Sequence, residues 1–313
     1  MTETLAKRNI GSLEVSVVGL GCNNFGGRID ADRTAAVVAT ALEEGITYFD
    51  TADIYGGTRS EELLGSALGR RRDQVVVATK FGMPIDADHT GAKPDYVRRA
   101  LEDSLRRLGT DHVDLYQLHQ PDPETPIADT LEALDELVQA GKIREIGCSN
   151  FSAAQIREAE AAVREGAARF VSVQNEYNLL KREVELDVLH ECESLGLAFI
   201  PYYPLASGVL TGKYRRGEPP PPGTRLAGMA GARTETLLSD ETFRVVENFE
   251  AFAIRCGHSL LELAFAWLIA RPVVASVIAG ATTPEQVRAN ARASNWRLTG
   301  SELAEIDKLA PVG

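Results

Sequence analysis

Eight short apolar runs recur along this chain, each followed by an amphipathic stretch, and few folds accommodate that spacing. The runs are Val15–Leu20, Ile46–Phe49, Val75–Ala78, Val113–Leu118, Ile143–Cys148, Phe170–Val173, Leu197–Ile200 and Val273–Ile278. A half-exposed strand alternates apolar and polar side chains, so nearly unbroken runs predict parallel strands buried on both faces. Between them, Val97, Leu101, Leu105 and Leu108 repeat at helical spacing, as do Ile127, Leu131, Leu134 and Val138. Thr58 with Glu61, Ser152 with Gln155, and Thr283 with Gln286 have the spacing of a capping box. Thr125-Pro126 and Thr283-Pro284 place a cap before a proline at the first helical position, and Gly109 supplies a C-terminal stop.

These units predict an α/β fold: a (β/α)₈ TIM barrel forming a single domain over the 313 residues. A doubly wound sheet is the rival. Its dinucleotide fingerprint would be Gly19-Leu20-Gly21-Cys22-Asn23-Asn24, in which Asn24 takes the place of the third glycine, so the barrel is favoured. One segment breaks the alternation. Pro204 to Ser239 is rich in Gly and Pro and carries Lys213, Arg215, Arg216 and Arg225, which suits either a solvated loop or a lid.

A net charge of −12 argues against nucleic acid or an anionic membrane as partner, while leaving room for a local basic pocket. Cys22, Cys148, Cys192 and Cys256 are scattered without metal-ligand spacing, which predicts free thiols in a reducing compartment. Met1-Thr2-Glu3-Thr4 is unlike a signal peptide, and Leu263–Ala270 is too short to span a bilayer. A cytoplasmic location follows as an expectation.

Barrel enzymes keep their chemistry at the C-terminal ends of the strands. Here the second predicted strand runs into Phe49-Asp50-Thr51-Ala52-Asp53-Ile54-Tyr55-Gly56, the third into Thr79-Lys80-Phe81-Gly82, and the fourth into His119. An ammonium beside a phenol favours the phenolate, lowering its pKa from a reference near ~10. A carboxylate fixes the ammonium, and a neutral imidazole donates to a carbonyl oxygen. Asp50, Tyr55, Lys80 and His119 together suit protonation of a carbonyl as it becomes an alkoxide. The next strand ends offer Ser149, Asn150 and Gln174, neutral groups suited to a carboxamide, and Tyr202, a face on which a flat ring stacks. Gly280-Ala281-Thr282-Thr283-Pro284 leads into a capped helix whose free N–H groups suit phosphate.

In order and context these motifs resemble the aldo-keto reductase family. The resemblance runs from about Arg8 to about Asn290. It implies a barrel closed at its base by an N-terminal β-hairpin near Asn9–Val17, with Tyr55 as proton donor, Lys80 and Asp50 as its tuning pair, and His119 orienting the carbonyl. The nicotinamide site implied is Ser149, Asn150, Gln174 and Tyr202, with further cofactor contacts from Gly21, Cys22 and Asn23 and from Gly280, Thr282, Gln286 and Asn290. The family often places Lys and Arg near the last helix to hold the 2′-phosphate of NADPH. Gly280 and Gln286 stand there instead. Tyr202-Tyr203-Pro204-Leu205-Ala206-Ser207-Gly208 through Lys213, with Gly223-Thr224-Arg225, is similar to the subgroup related to potassium-channel β subunits. In that subgroup the long loop after the seventh strand supplies the charge. The resemblance therefore implies Pro204, Leu205 and Gly208 along the cofactor and Lys213 and Arg225 on the phosphate, with NADP as cofactor. Tyr203 departs from the small residue usual beside the stacking tyrosine.

The expected activity is reduction of an aldehyde or ketone, a small carbonyl substrate, by hydride from NADPH. A cofactor-binding regulatory or redox-sensing subunit is the alternative. A metal-dependent hydrolase is disfavoured, because of five histidines only His119 ends a predicted strand, and no metal site is expected.

Overall fold

The computed structural model describes residues 5–310; the polar start Met1–Thr4, with its reading as no signal peptide, lies outside them. Two short strands, β1 (Lys7–Ile10) and β2 (Leu13–Ser16), pair antiparallel as a hairpin. Then β3 (Val18–Gly21) leads to α1 (Ala31–Glu43), β4 (Tyr48–Asp50) to α2 (Arg59–Leu68), and β5 (Val76–Phe81) to α3 (Pro94–Leu108). The pattern continues with β6 (Val113–Leu118) and α4 (Ile127–Gln139), β7 (Ile143–Ser149) and α5 (Ala153–Ala161), and β8 (Phe170–Glu176) and α6 (Val188–Leu195). After β9 (Ala198–Tyr202) comes the long loop, with α7 (Ala232–Leu237), α8 (Asp240–Arg255) and α9 (Leu260–Ile269). The chain closes with β10 (Val277–Gly280), α10 (Pro284–Arg292) and α11 (Gly300–Leu309).

The strands from β3 to β10 run parallel in the order β10-β3-β4-β5-β6-β7-β8-β9. The ring closes where Phe199 N donates to the Val273 carbonyl at 2.8 Å and Ala275 N to the Phe199 carbonyl at 2.9 Å. This is the (β/α)₈ barrel that the apolar runs predict. Helices cover the outer strand faces and the interior is packed with side chains, so both faces are dry. The hairpin plugs one end. Ile10, Leu13 and Val15 pack with Tyr48, Val76, Ala78, Leu115 and Ile200 in the interior core. Its turn is fixed from outside: Ser12 N donates to Glu145 Oε1 at 2.8 Å, and a Cβ on Gly11 (φ +56°) would fall 2.7 Å from that same oxygen.

Several local expectations need correction. The run Val15–Leu20 is two strands rather than one, split between the hairpin and the barrel at Val17, whose N–H goes to the Ala6 carbonyl. Ser152 and Gln155 do form a capping box, and Gly109 ends α3 in the left-handed conformation. Thr283 caps Gln286 N, yet the Gln286 side chain turns to Thr282 instead of back to the cap. Thr125 donates to Asp122, and Pro126 stands one residue before α4. Thr58 makes no cap at all: it is left-handed (φ 74°), and Glu61 turns inward to be fully buried. The segment Pro204–Ser239 is neither fully solvated nor regular; it folds over the open end of the barrel in short helical turns. No single helix among the described residues is long and apolar enough to cross a membrane.

Candidate active site

Parallel strands in a closed barrel deliver their C-terminal ends to one rim. Asp50 ends β4, Lys80 is the penultimate residue of β5, His119 follows β6, and Tyr55 lies in the loop after β4. Their side chains converge. Lys80 is fully buried, and its Nζ donates to Asp50 Oδ2 at 2.6 Å and to the Thr51 carbonyl at 2.8 Å. The other carboxylate oxygen of Asp50 accepts from Gln174 Nε2 at 2.8 Å and Gln117 Nε2 at 3.3 Å. The ammonium is thereby fixed, 5.1 Å from the centre of the Tyr55 ring. The imidazole of His119 meets that ring edge-on, centre to centre 5.8 Å.

Burial decides the protonation states here. Loss of solvent raises the Tyr55 phenol above its usual range, and the Lys80 charge opposes this without overcoming it. The lowered phenol pKa expected from the sequence is therefore replaced by a raised one, and the group stays a neutral acid at pH 7. For Lys80 burial pulls the other way, but Asp50 and Tyr55 outweigh it and hold the amine charged. Burial, reinforced by the Lys80 charge, pushes His119 down to about 3, so its imidazole is neutral. Asn150 Nδ2 anchors the His119 carbonyl at 2.9 Å.

A chain of neutral groups extends from this cluster. The Tyr202 hydroxyl donates to Asn150 Oδ1 at 2.8 Å, Asn150 Nδ2 reaches Ser149 Oγ at 3.1 Å, and Ser149 Oγ donates to the Gln174 carbonyl at 2.7 Å. Asn150 takes the left-handed conformation (φ 61°), which asparagine tolerates better than most residues.

Asp50, Tyr55, His119, Ser149, Asn150, Gln174 and Tyr202 line one cavity of about 920 Å³ on the rim, at the upper end of the size range for ligand pockets. The lid contributes Pro204, Leu205, Gly208, Lys213 and Arg225 to its wall, and the opposite side is made by Gly21, Asn23, Gly280, Thr282, Gln286 and Asn290. Lys80 reaches the cavity only through its neighbours. Cys22 does not reach it: the side chain is fully buried and points to the Leu20 carbonyl, while its own carbonyl and N–H bind Ser60 and Asp50. That candidate is a packing residue.

The walls suit an anion. Arg28, Lys213 and Arg225 border the cavity, and among the described residues none has a carboxylate within ion-pair distance. By contrast Arg215, Arg216 and Arg233 are paired to Glu250, Glu247 and Glu176. The lid's basic cluster thus divides into neutralised and free members. At the start of α10, Thr282 N and Oγ1 already donate to Gln286 Oε1 (2.8 and 3.2 Å), so fewer donors remain there than a bare helix start would offer. Close backbone approach is also built in. A Cβ on Gly208 (φ +94°) would lie 2.5 Å from Lys213 Nζ, and one on Gly280 would lie 3.0 Å from Asn24 Nδ2. Asn23 Oδ1 is buried at the wall with no hydrogen-bond partner.

Ile54, Met83 and Tyr203 also line the cavity; Ile54 and Met83 carry no sequence signal beyond lying in a rim loop, whereas Tyr203 is the residue marked by its departure from the small one usual beside the stacking tyrosine. A buried carboxyl escaped the sequence reading altogether. Asp53, inside the Asp50–Gly56 motif, has both oxygens buried and unpartnered; burial, then the charge of Glu61, pushes it up to about 7. Glu61 accepts Thr79 Oγ1 at 2.5 Å and Arg107 Nε at 2.6 Å, which is why it does not serve as a cap.

Comparison with known proteins follows the same outline. The aldo/keto reductase family model matches residues 17–311. An uncharacterized oxidoreductase, YrpG, of Bacillus subtilis is 34% identical over 96% of this chain and 93% of its own length. A probable voltage-gated potassium channel subunit beta of rice (Oryza sativa subsp. japonica) is 36% identical over 91% of this chain and 90% of its own. Probable aldo-keto reductase 1 of soybean (Glycine max) is 33% identical, covering 96% and 87%.

Proposed function

Because this chain belongs to the aldo/keto reductase family, we propose that it is an oxidoreductase reducing a small aldehyde or ketone to the alcohol with NADPH. One observation carries the reading: a phenol, a buried ammonium–carboxylate pair and a neutral imidazole share one rim with uncompensated cations. Bound in this cavity, NADPH supplies the hydride. Ser149, Asn150, Gln174 and Tyr202 are the groups that would hold its nicotinamide; Gly21, Asn23, Gly280, Thr282 and Asn290 would flank it, and Lys213 and Arg225 would hold its phosphate.

The chain's own residues then handle the proton. His119, neutral, donates a hydrogen bond to the carbonyl oxygen and aligns it. As the carbon–oxygen double bond opens and carbon gains hydride, the Tyr55 hydroxyl gives its proton to the oxygen. The phenolate left behind faces the Lys80 ammonium, which Asp50 keeps in place. General acid work of this kind contributes ~10²–10⁴-fold. The four cysteines are free, which fits a reducing cytoplasm, and the charge of −12 favours small molecules over nucleic acid or membrane as partners.

Tyr55→Phe tests the assignment. Carbonyl-dependent NADPH oxidation should fall by ~10²–10⁴-fold, while the dissociation constant of NADPH, read from its fluorescence, stays unchanged. Wild-type turnover in that variant would remove Tyr55 from its role. The β-subunit relatives favour a second reading, a cofactor-binding regulatory subunit. Tight NADPH binding with no turnover across a panel of simple aldehydes would favour it.

A further inference from the structure

The two free lid cations each rest on an aromatic face. Lys213 Nζ lies 5.3 Å from the centre of the Tyr214 ring, and the Arg225 guanidinium carbon 5.2 Å from that of Tyr203. We infer that Tyr203 is a positioning residue that aims Arg225 at the 2′-phosphate of the cofactor and so sets the preference for NADPH over NADH. The inference rests on the reading of Arg225 as a phosphate ligand.

Tyr203 is held from several sides. Its backbone is left-handed (φ 50°), a conformation a tyrosine keeps only when its surroundings impose it. Its carbonyl accepts from Asn178 Nδ2 at 3.0 Å and from Ala206 N at 2.9 Å. Its ring meets Tyr202 edge-on at 5.3 Å. A second guanidinium, that of Arg233, lies 4.8 Å from the same ring centre.

The two arginines differ in what their N–H groups do. Arg233 spends its fork on Glu176, donating to both carboxylate oxygens at 2.5 and 3.0 Å. Among the described residues Arg225 makes no side-chain hydrogen bond or ion pair, so the ring is its one specific contact. Stacking engages the face of a guanidinium and leaves its in-plane donors free to bind a phosphate two at a time. A carboxylate partner would have consumed those donors. Two bare cations sharing one ring would repel each other, but Glu176 neutralises the first. Tyr203 therefore acts as a shelf that limits where Arg225 can go without occupying what it binds with. NADH lacks the 2′-phosphate, so this device should act on NADPH alone.

Dissociation constants for NADPH and NADH, measured by cofactor fluorescence on the full-length protein, test this. Tyr203→Leu keeps most of the bulk without the π face, Tyr203→Phe restores the face without the hydroxyl, and Arg225→Ala is the reference. Arg225→Ala should abolish most of the preference for NADPH. Tyr203→Leu should weaken NADPH by about two- to fivefold, the worth of one exposed cation–π contact, and leave NADH unchanged. Tyr203→Phe should match wild type. If Arg225→Ala alters the ratio and Tyr203→Leu does not, or if Tyr203→Leu weakens both cofactors equally, the positioning role is overturned. If Arg225→Ala itself leaves the ratio unchanged, the phosphate reading beneath it falls as well.

Discussion

Replacing Lys80 by methionine deletes a charge while keeping a stem of similar size, and its consequences for stability and activity should part company. Lys80 and Asp50 are both shielded from solvent, 2.6 Å apart. Breaking a buried pair strands the remaining charge, at a cost of about 3–5 kcal/mol. Asp50 would keep its bonds from Gln174 and Gln117, which places the expected loss near the lower end, about 3 kcal/mol. The Thr51 carbonyl also loses its donor, adding about 1 kcal/mol. Adding Asp50→Asn removes the stranded carboxylate, so Lys80→Met/Asp50→Asn should be more stable than Lys80→Met alone by about 2 kcal/mol. Activity should not return: both proteins lack the cation beside the phenol, and both should stay down by ~10²–10⁴-fold. Urea unfolding followed by circular dichroism gives the stabilities, and NADPH oxidation with a simple aldehyde gives the rates. Strictly additive stability losses would show that the pair is not coupled. A Lys80→Met enzyme within tenfold of wild type would show that Lys80 does not tune the acid.

Three further outcomes follow from the same geometry. His119 is pushed down to about 3 when folded against about 6.5 when unfolded, so the unfolded chain binds the proton more readily. Its contribution to stability is then lost as pH falls below about 6.5, and kcat should show no ionisation near 6.5 that disappears in His119→Asn; finding one would contradict the neutral, buried imidazole. Asp53 has the opposite sign. Raised to about 7 by burial and Glu61, it destabilises the fold increasingly from about pH 4 up to about 7, so Asp53→Asn should compare better with wild type in urea midpoint at pH 8 than at pH 5. An equal difference at both values would count against a strained carboxyl. Gly65→Ala sets two effects against each other: alanine in a helix gains about 1 kcal/mol, but its Cβ would lie 2.1 Å from the Leu108 carbonyl oxygen of α3. Overpacking of about 1–3 kcal/mol wins, and thermal unfolding should show a lower midpoint; a higher one would refute the close contact of the two helices.

The barrel is legible in the sequence because parallel strands covered on both sides leave contiguous apolar runs, and helix ends such as Ser152–Gln155 and Gly109 depend on neighbours within a turn. Strand ends are less legible. Apolarity stops at Ala78 and Val173, yet β5 continues to Phe81 and β8 to Glu176, since at the rim the inward positions carry the site's polar groups instead of core. Positive φ at non-glycine residues is not legible, because contacts from distant elements impose it. Among the described residues the non-glycine positions with positive φ are Thr58, Asn150, Tyr203, Ala206 and Ser207. Asn150, Tyr203 and Ser207 line the cavity, Ala206 lies between two of its wall residues, and Thr58 is two residues from Gly56, another of them. Thr58 is also where a plausible capping box fails, because Glu61 is drawn inward to Thr79 and Arg107 beside the buried Lys80. A stable fold has no reason to gather its local misfits in one place unless the surrounding packing holds them there for a use. Their concentration on a single rim points to the same cavity as the convergent side chains, and it does so without reference to any motif.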